Sequence, residues 1–205
     1  MTLNSFQFNT PAGLRFGSGL AKSSCEEISK KLGTRILFIT DKGLMSLGIT
    51  KPTINELSNK GSIEIFDDVE ADPSKKALLS AIEVGKKFKA TGVIGFGGGS
   101  SMDVAKLVAL ILGSNEDLEQ AWGVANAKGP RLPLVLVPTT AGTGSEVTPV
   151  AIITVGEEEK KGVSSSIILP DIAILDPELT LGLPAGTTAA TGIDAMVHAI
   201  EAYAS

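Results

Sequence analysis

The 205-residue chain is short of several things, and each shortage excludes something. Cysteine occurs once, as Cys25, so no disulfide can form within the chain, and a reducing, cytoplasmic setting is expected. Positive charge is sparse: 18 Lys and Arg face 23 Asp and Glu, the formal net charge is −5, and no basic run exceeds Lys-Lys. A nucleic-acid partner is therefore not expected. The longest apolar run, 107–112, is far too short to cross a bilayer, and no basic segment leads into an apolar stretch near Met1. Neither a membrane span nor a secretory signal is expected. Histidine also occurs once, as His198, which restricts what metal chemistry these residues can perform unaided. What remains is a chain 43% hydrophobic and 20% charged, the composition of a globular protein with a full core.

Apolar strands alternate with amphipathic helices. Strands are predicted at 35–40, 62–66, 92–94, 133–137 and 172–175. Helices are predicted at 20–32, from Pro52, from Pro73 at a first helical position to about Lys89, at 102–112, at 115–122, and from Thr187 onward. Residues 6–17 read as two short strands about a Pro/Gly turn, and 147–155 with 162–169 as a hairpin about the charged turn 156–161. The expectation is an α/β fold: a Rossmann-like, open, mainly parallel sheet with flanking helices and an extra β-hairpin. Ligands of such sheets sit beyond the carboxyl ends of the strands.

Three loops and one helix at that edge carry chemistry. Gly97, Gly98, Gly99 and Ser100 turn a strand into a helix. Glycines let backbone N–H groups approach an anion, the helix N-terminus adds partial positive charge, and Ser100 could cap the helix. The stretch is neither the Gly-x-Gly-x-x-Gly fingerprint, since serine stands at 100, nor a P-loop, since no lysine precedes Lys106. Asp41 follows an apolar strand, where a carboxylate could accept both hydroxyls of an adenosine ribose or cap the next helix. Thr139, Thr140, Thr143 and Ser145 crowd hydroxyls about Gly142 and Gly144, as a diphosphate or nicotinamide seat or as an elaborate turn. Asp194 and His198 are four apart on one helix face, where they could hold a divalent metal or simply bond each other.

Together these stretches resemble the iron-containing (group III) alcohol dehydrogenases. The resemblance rests on Gly97-Gly98-Gly99-Ser100-Ser101-x-Asp103-x-x-Lys106, on the run from Pro138 through Gly144-Ser145-Glu146 to Val147, on Pro170-Asp171 with Asp176-Pro177, and on Gly192-x-Asp194-Ala195-x-x-His198. It implies reversible hydride transfer between a primary alcohol or aldehyde and a nicotinamide cofactor, NAD before NADP because Asp41 repels a 2′-phosphate. It implies that Asp41 meets the ribose, and that Gly97, Gly98, Gly99, Ser100 and Asp103 form the nucleotide turn. Thr139, Thr140, Thr143, Ser145, Val147 and Lys160 then line the cofactor cleft, with Lys161 one residue away as the alternative to Lys160. Asp194 and His198 become the first two ligands of Fe2+, for which Zn2+ or another divalent ion could stand. The family's other two ligands are histidines of a C-terminal helical domain, which these residues lack. The expected organisation is thus a dinucleotide-binding domain over 1–185 and the first helix of the metal-binding domain over 186–205, an incomplete enzyme that family habit would make a homodimer. A glycerol or sugar-alcohol phosphate dehydrogenase on the same fold, and a stand-alone nucleotide-binding module, are the competing readings.

Overall fold

The computed structural model of the protein describes residues 8–156 and 159–204. The chain opens with β1 (Gly13–Phe16), two short helices α1 (Leu20–Ser23) and α2 (Cys25–Leu32), and β2 (Arg35–Ile39). Helices α3 (Lys42–Ser46) and α4 (Lys51–Ser58) lead to β3 (Ser62–Phe66), and α5 (Lys75–Phe88) leads to β4 (Gly92–Gly97). The long α6 (Gly99–Ser114) is followed by α7 (Leu118–Ala121), β5 (Gly123–Val124) and β6 (Leu134–Pro138). A hairpin of β7 (Val150–Val155) and β8 (Glu159–Ser164), then β9 (Ile172–Leu175) and α8 (Ala185–Ala204), complete it.

Strand side chains alternate between two cores, as the pleat requires. Ile36, Phe38, Ile94, Phe96, Val135 and Val137 pack on the side of α1, α2 and α4, burying Ile28, Leu32 and Leu57. Leu37, Ile39, Val93, Leu134 and Leu136 pack on the other side, against Leu78 and Ile82 of α5 and the apolar flank of α6. Both faces of the strands are covered, which is why 134–137 reads as an unbroken apolar run. Six strands form one wholly parallel sheet in the order β3-β2-β4-β6-β9-β1. The chain leaves β2 outward to β3 and returns to β4 on its other side. Between β2 and β4, therefore, the sheet has its topological switch point, the crevice where such sheets take ligands.

Several boundaries differ from the sequence expectation. The helix over 20–32 breaks at Ser24, and the Asp176 carboxylate, accepting from the Gly19 and Ala21 N–H groups, holds the start of α1. Pro73 is not in the helix: Ser74 is its N-cap, accepting from the Ala77 N–H at 3.2 Å. Of the two strands expected at 6–17 only β1 forms among the described residues, and it pairs in parallel with β9 rather than in a hairpin; Phe6 and Gln7 lie outside them. The hairpin strands are shorter than expected because Ser145–Val147 and Ser166–Ile168 each close a single 3-10 turn. Lys160 and Lys161 consequently belong to β8, opposite Thr154 and Ile153, and not to the turn, of which Glu157 and Glu158 lie outside the described residues. Strand β5 and helix α3 had no clear sequence signal. Among the described residues no helix is long and apolar enough to cross a membrane.

Candidate functional site

Asp41 ends β2 at the switch point. Its Oδ1 accepts the Leu44 N–H at 2.9 Å, so it is the N-cap of α3. Across the crevice β4 ends in Gly97, whose φ of 154° is open to glycine and whose Cβ would fall 2.7 Å from Ser101 Oγ. Gly98 is the N-cap residue of α6, which starts at Gly99, and no side chain caps it. Ser100 is thus a first-turn residue, not the cap. The free N–H groups of that turn and the dipole of a 16-residue helix form an electropositive cradle with no side chain in the way.

The threonine loop leaves β6 beside this cradle, its Thr139 N–H donating to the Gly97 carbonyl at 2.9 Å. The Thr140 hydroxyl is buried with no hydrogen-bond partner among the described residues, and it lies next to Gly98, where a Cβ would sit 3.8 Å from Thr140 Oγ1. A helix start that no side chain caps suits an oxygen-rich ligand such as a diphosphate. Thr143 Oγ1 accepts the Ser145 N–H, and Gly144, at φ 62°, bends the loop into the Ser145–Val147 turn.

Beyond the loop opens a cleft of about 820 Å³. Gly99, Ser100, Asp103, Thr143, Ser145, Lys160, Asp194 and His198 all line it. Asp41, Gly97, Gly98, Thr139, Thr140 and Val147 do not; all but Val147 lie at the carboxyl ends of β2, β4 and β6. Lys160 rather than Lys161 faces the cleft, and it pairs with Asp72 across the mouth at 2.5 Å. His198 Nε2 stands 3.7 Å from Asp194 Oδ1, with both side chains about half exposed on α8. These two donors fit one side of a divalent coordination sphere. Among the described residues no third His, Cys, Asp or Glu joins them, so they do not make a tight site by themselves.

Two residues to which the sequence assigned no role of their own shape the cleft. Lys106 is fully buried in α6, where its ammonium donates to Ser145 Oγ at 2.8 Å and to the Val150 carbonyl at 2.6 Å. Burial pushes its pKa below the ordinary lysine value, against the opposing pull of Asp103 and Glu146. Glu146 is displaced the other way, upward, by burial, with its own backbone N–H and Lys106 resisting. The signal for Lys106 was present: Val104, Ala105, Leu107 and Val108 flank it, an apolar setting in which an exposed lysine would be out of place. Asp72, which sits at φ 52°, had no such signal.

Comparison with known proteins identifies the family and the fold. The sequence model of the family described as iron-containing alcohol dehydrogenase matches residues 11–177. The sulfoacetaldehyde reductase of Bilophila wadsworthia is 37% identical over 190 residues, 91% of this chain and 49% of that protein. The crystal structure of a 1,3-propanediol oxidoreductase superposes with a TM-score of 0.92 at 35% identity, covering 98% of this chain and 53% of its own. The sulfoacetaldehyde reductase of Bifidobacterium kashiwanohense, solved in complex with NAD+, gives 0.83 at 32% identity, covering 93% and 51%. The chain spans about half the length of the curated relatives it matches.

Proposed function

The chain belongs to the iron-containing alcohol dehydrogenase family, and from that premise we propose that it is the NAD-binding part of a cytoplasmic oxidoreductase acting on a primary alcohol or aldehyde. The observation that carries the proposal is the start of α6, capped by no side chain, at the sheet's switch point beside the threonine loop. The diphosphate would lie there, held by the N–H groups of Gly99 and Ser100 and by Thr140. The adenosine ribose would reach Asp41, whose charge disfavours a 2′-phosphate and so favours NAD over NADP. The nicotinamide would enter the cleft between Thr143, Lys160 and α8, bringing its reactive carbon toward Asp194 and His198.

Bound NAD supplies the hydride acceptor, and a divalent metal, Fe2+ in the family's name, supplies Lewis acidity at the substrate oxygen. Asp194 and His198 would contribute two of its ligands, and further donors must come from outside the described residues. This chain's own part is to bind and orient the cofactor, which raises the frequency of reactive encounters without itself moving a proton. The 205 residues alone are expected to bind NADH but to produce none from alcohol.

Titration of the purified chain with NADH and NADPH, followed by nicotinamide fluorescence, tests the reading. Saturable NADH binding that is tighter than NADPH binding is expected. Absence of binding to either cofactor would remove the proposal.

A further inference from the structure

Strand β7 lies at the edge of its own three-stranded sheet, in the order β5-β8-β7. An edge strand has one row of backbone groups without a neighbouring strand, and buried groups of that kind must find other partners. Three groups of that row in β7, Val150 O, Ile152 N and Thr154 N, find partners outside the sheet. Thr154 N donates to the Pro73 carbonyl at 2.9 Å. The other two are taken by one turn of α6: Lys106 donates to Val150 O at 2.6 Å, and Asp103 Oδ2 accepts from Ile152 N at 2.9 Å. Between them sits the Ser145 hydroxyl, which donates to Asp103 Oδ1 at 2.7 Å and accepts from Lys106 at 2.8 Å. The remaining contact closes the ring, Lys106 Nζ standing 3.5 Å from Asp103 Oδ1.

Every polar atom of this cluster thus serves the protein. The Ser145 proton is spent on Asp103, both Asp103 oxygens are occupied, and Lys106 has no exposed surface from which to touch a ligand. What the cluster holds, however, is the cleft wall. Val150 and Ile152 line the cleft with their side chains partly exposed, and Ser145 ends the loop that carries Thr143. The same α6 begins, one turn earlier, as the phosphate cradle.

We propose that Lys106 is a positioning residue which, through Asp103 and Ser145, locks the nicotinamide-side wall of the cleft to the helix that seats the diphosphate. The two ends of a bound dinucleotide are thereby held at one fixed separation. The inference rests on the cofactor reading above, and it moves Asp103 and Ser145 from cofactor contacts to parts of the wall's support.

The test compares two ligands on the purified 205-residue chain: NADH, and ADP-ribose, which lacks the nicotinamide. In Lys106→Met, which removes the charge but keeps an unbranched chain, NADH is expected to weaken at least about tenfold while ADP-ribose changes less than about twofold, since only the wall has loosened. Equal weakening of both ligands would mean that Lys106 serves the diphosphate or the fold in general, and it would overturn the proposal. So would unchanged NADH affinity in a folded variant. If Lys106→Met does not fold, Ser145→Ala decides, because it cuts one link and leaves the Lys106–Asp103 pair; the same split supports the proposal and its absence overturns it. Failure of the parent chain to bind either ligand would instead sink the cofactor reading itself, and this inference with it.

Discussion

Asp41 caps α3 with one carboxylate oxygen at Leu44 and still stands at the switch point, where the proposed ribose contact would fall. Replacing an N-cap aspartate by glycine costs only a few tenths of a kcal/mol. Asp41→Gly is therefore expected to leave the melting temperature nearly unchanged while the preference for NADH over NADPH collapses toward equality, as paired titrations would read. Thr140 gives a complementary residue-scale expectation. A buried hydroxyl without a partner destabilises the free protein, and an isosteric apolar group relieves that cost. Thr140→Val should hold or raise the melting temperature of the ligand-free chain while weakening NADH by roughly tenfold, a loss of about 1.4 kcal/mol. A fall in both quantities would show that the hydroxyl has a structural partner.

At the scale of elements, α8 carries Asp194 and His198 yet buries none of its own side chains. Its seat on the body is narrow: a Cβ at Gly142 of the threonine loop would fall 2.4 Å from the Thr191 carbonyl, so only glycine permits this approach. Gly142→Ala must push the helix off the loop. Hydrogen exchange followed by mass spectrometry should show the amides of α8 exchanging at least about tenfold faster in that variant, with β2 and β4 unchanged. Equal exchange in the two proteins would mean that other contacts seat α8. On the outward side of the helix, Ile193, Met196 and Ile200 are each about 60% exposed, an apolar stripe that no described residue covers.

The whole molecule depends on how the far edge of the sheet is closed. Asp171 Oδ2 accepts from Arg131 at 2.7 Å and from the Leu134 N–H at 2.9 Å, while its carbonyl takes the Gly13 N–H, so one residue ties β1, β6 and β9 together. Burial would raise its pKa, but the Leu134 N–H and Arg131 more than reverse this and hold it below the usual carboxylate value. A depressed folded pKa means stability that is present above the unfolded value and lost as pH falls through the folded one. Asp171→Asn is accordingly expected to cost about 1–3 kcal/mol near neutral pH, the cost of disrupting a charged, partly buried hydrogen-bond group. Denaturant curves for the two proteins should converge as pH drops below the ordinary carboxylate range. A constant gap across pH would show that the charge is not what stabilises the edge.

Much of this was legible in the amino-acid order, because short-range rules govern it. Apolar runs at 36–39 and 134–137, bounded by polar residues and turns, read as buried strands, the glycines at 97–99 mark the passage from strand to helix, and the i,i+4 spacing of Asp194 and His198 places them on one helix face. Helix starts were less legible. Gly98, not Ser100, is the N-cap residue of α6, and Pro73, expected at the first position of α5, lies before its N-cap Ser74. What only the tertiary structure decided is which polar groups remain free. Ser145 lies far in sequence from Asp103 and Lys106, and nothing in that separation says that the three consume one another's hydrogen bonds, whereas the Thr140 hydroxyl, in the same loop as Ser145, has no partner among the described residues. Residue type sets how many bonds a side chain can make; which of them are already made depends on what the folded chain brings within 3 Å, and so therefore does what is left for a ligand.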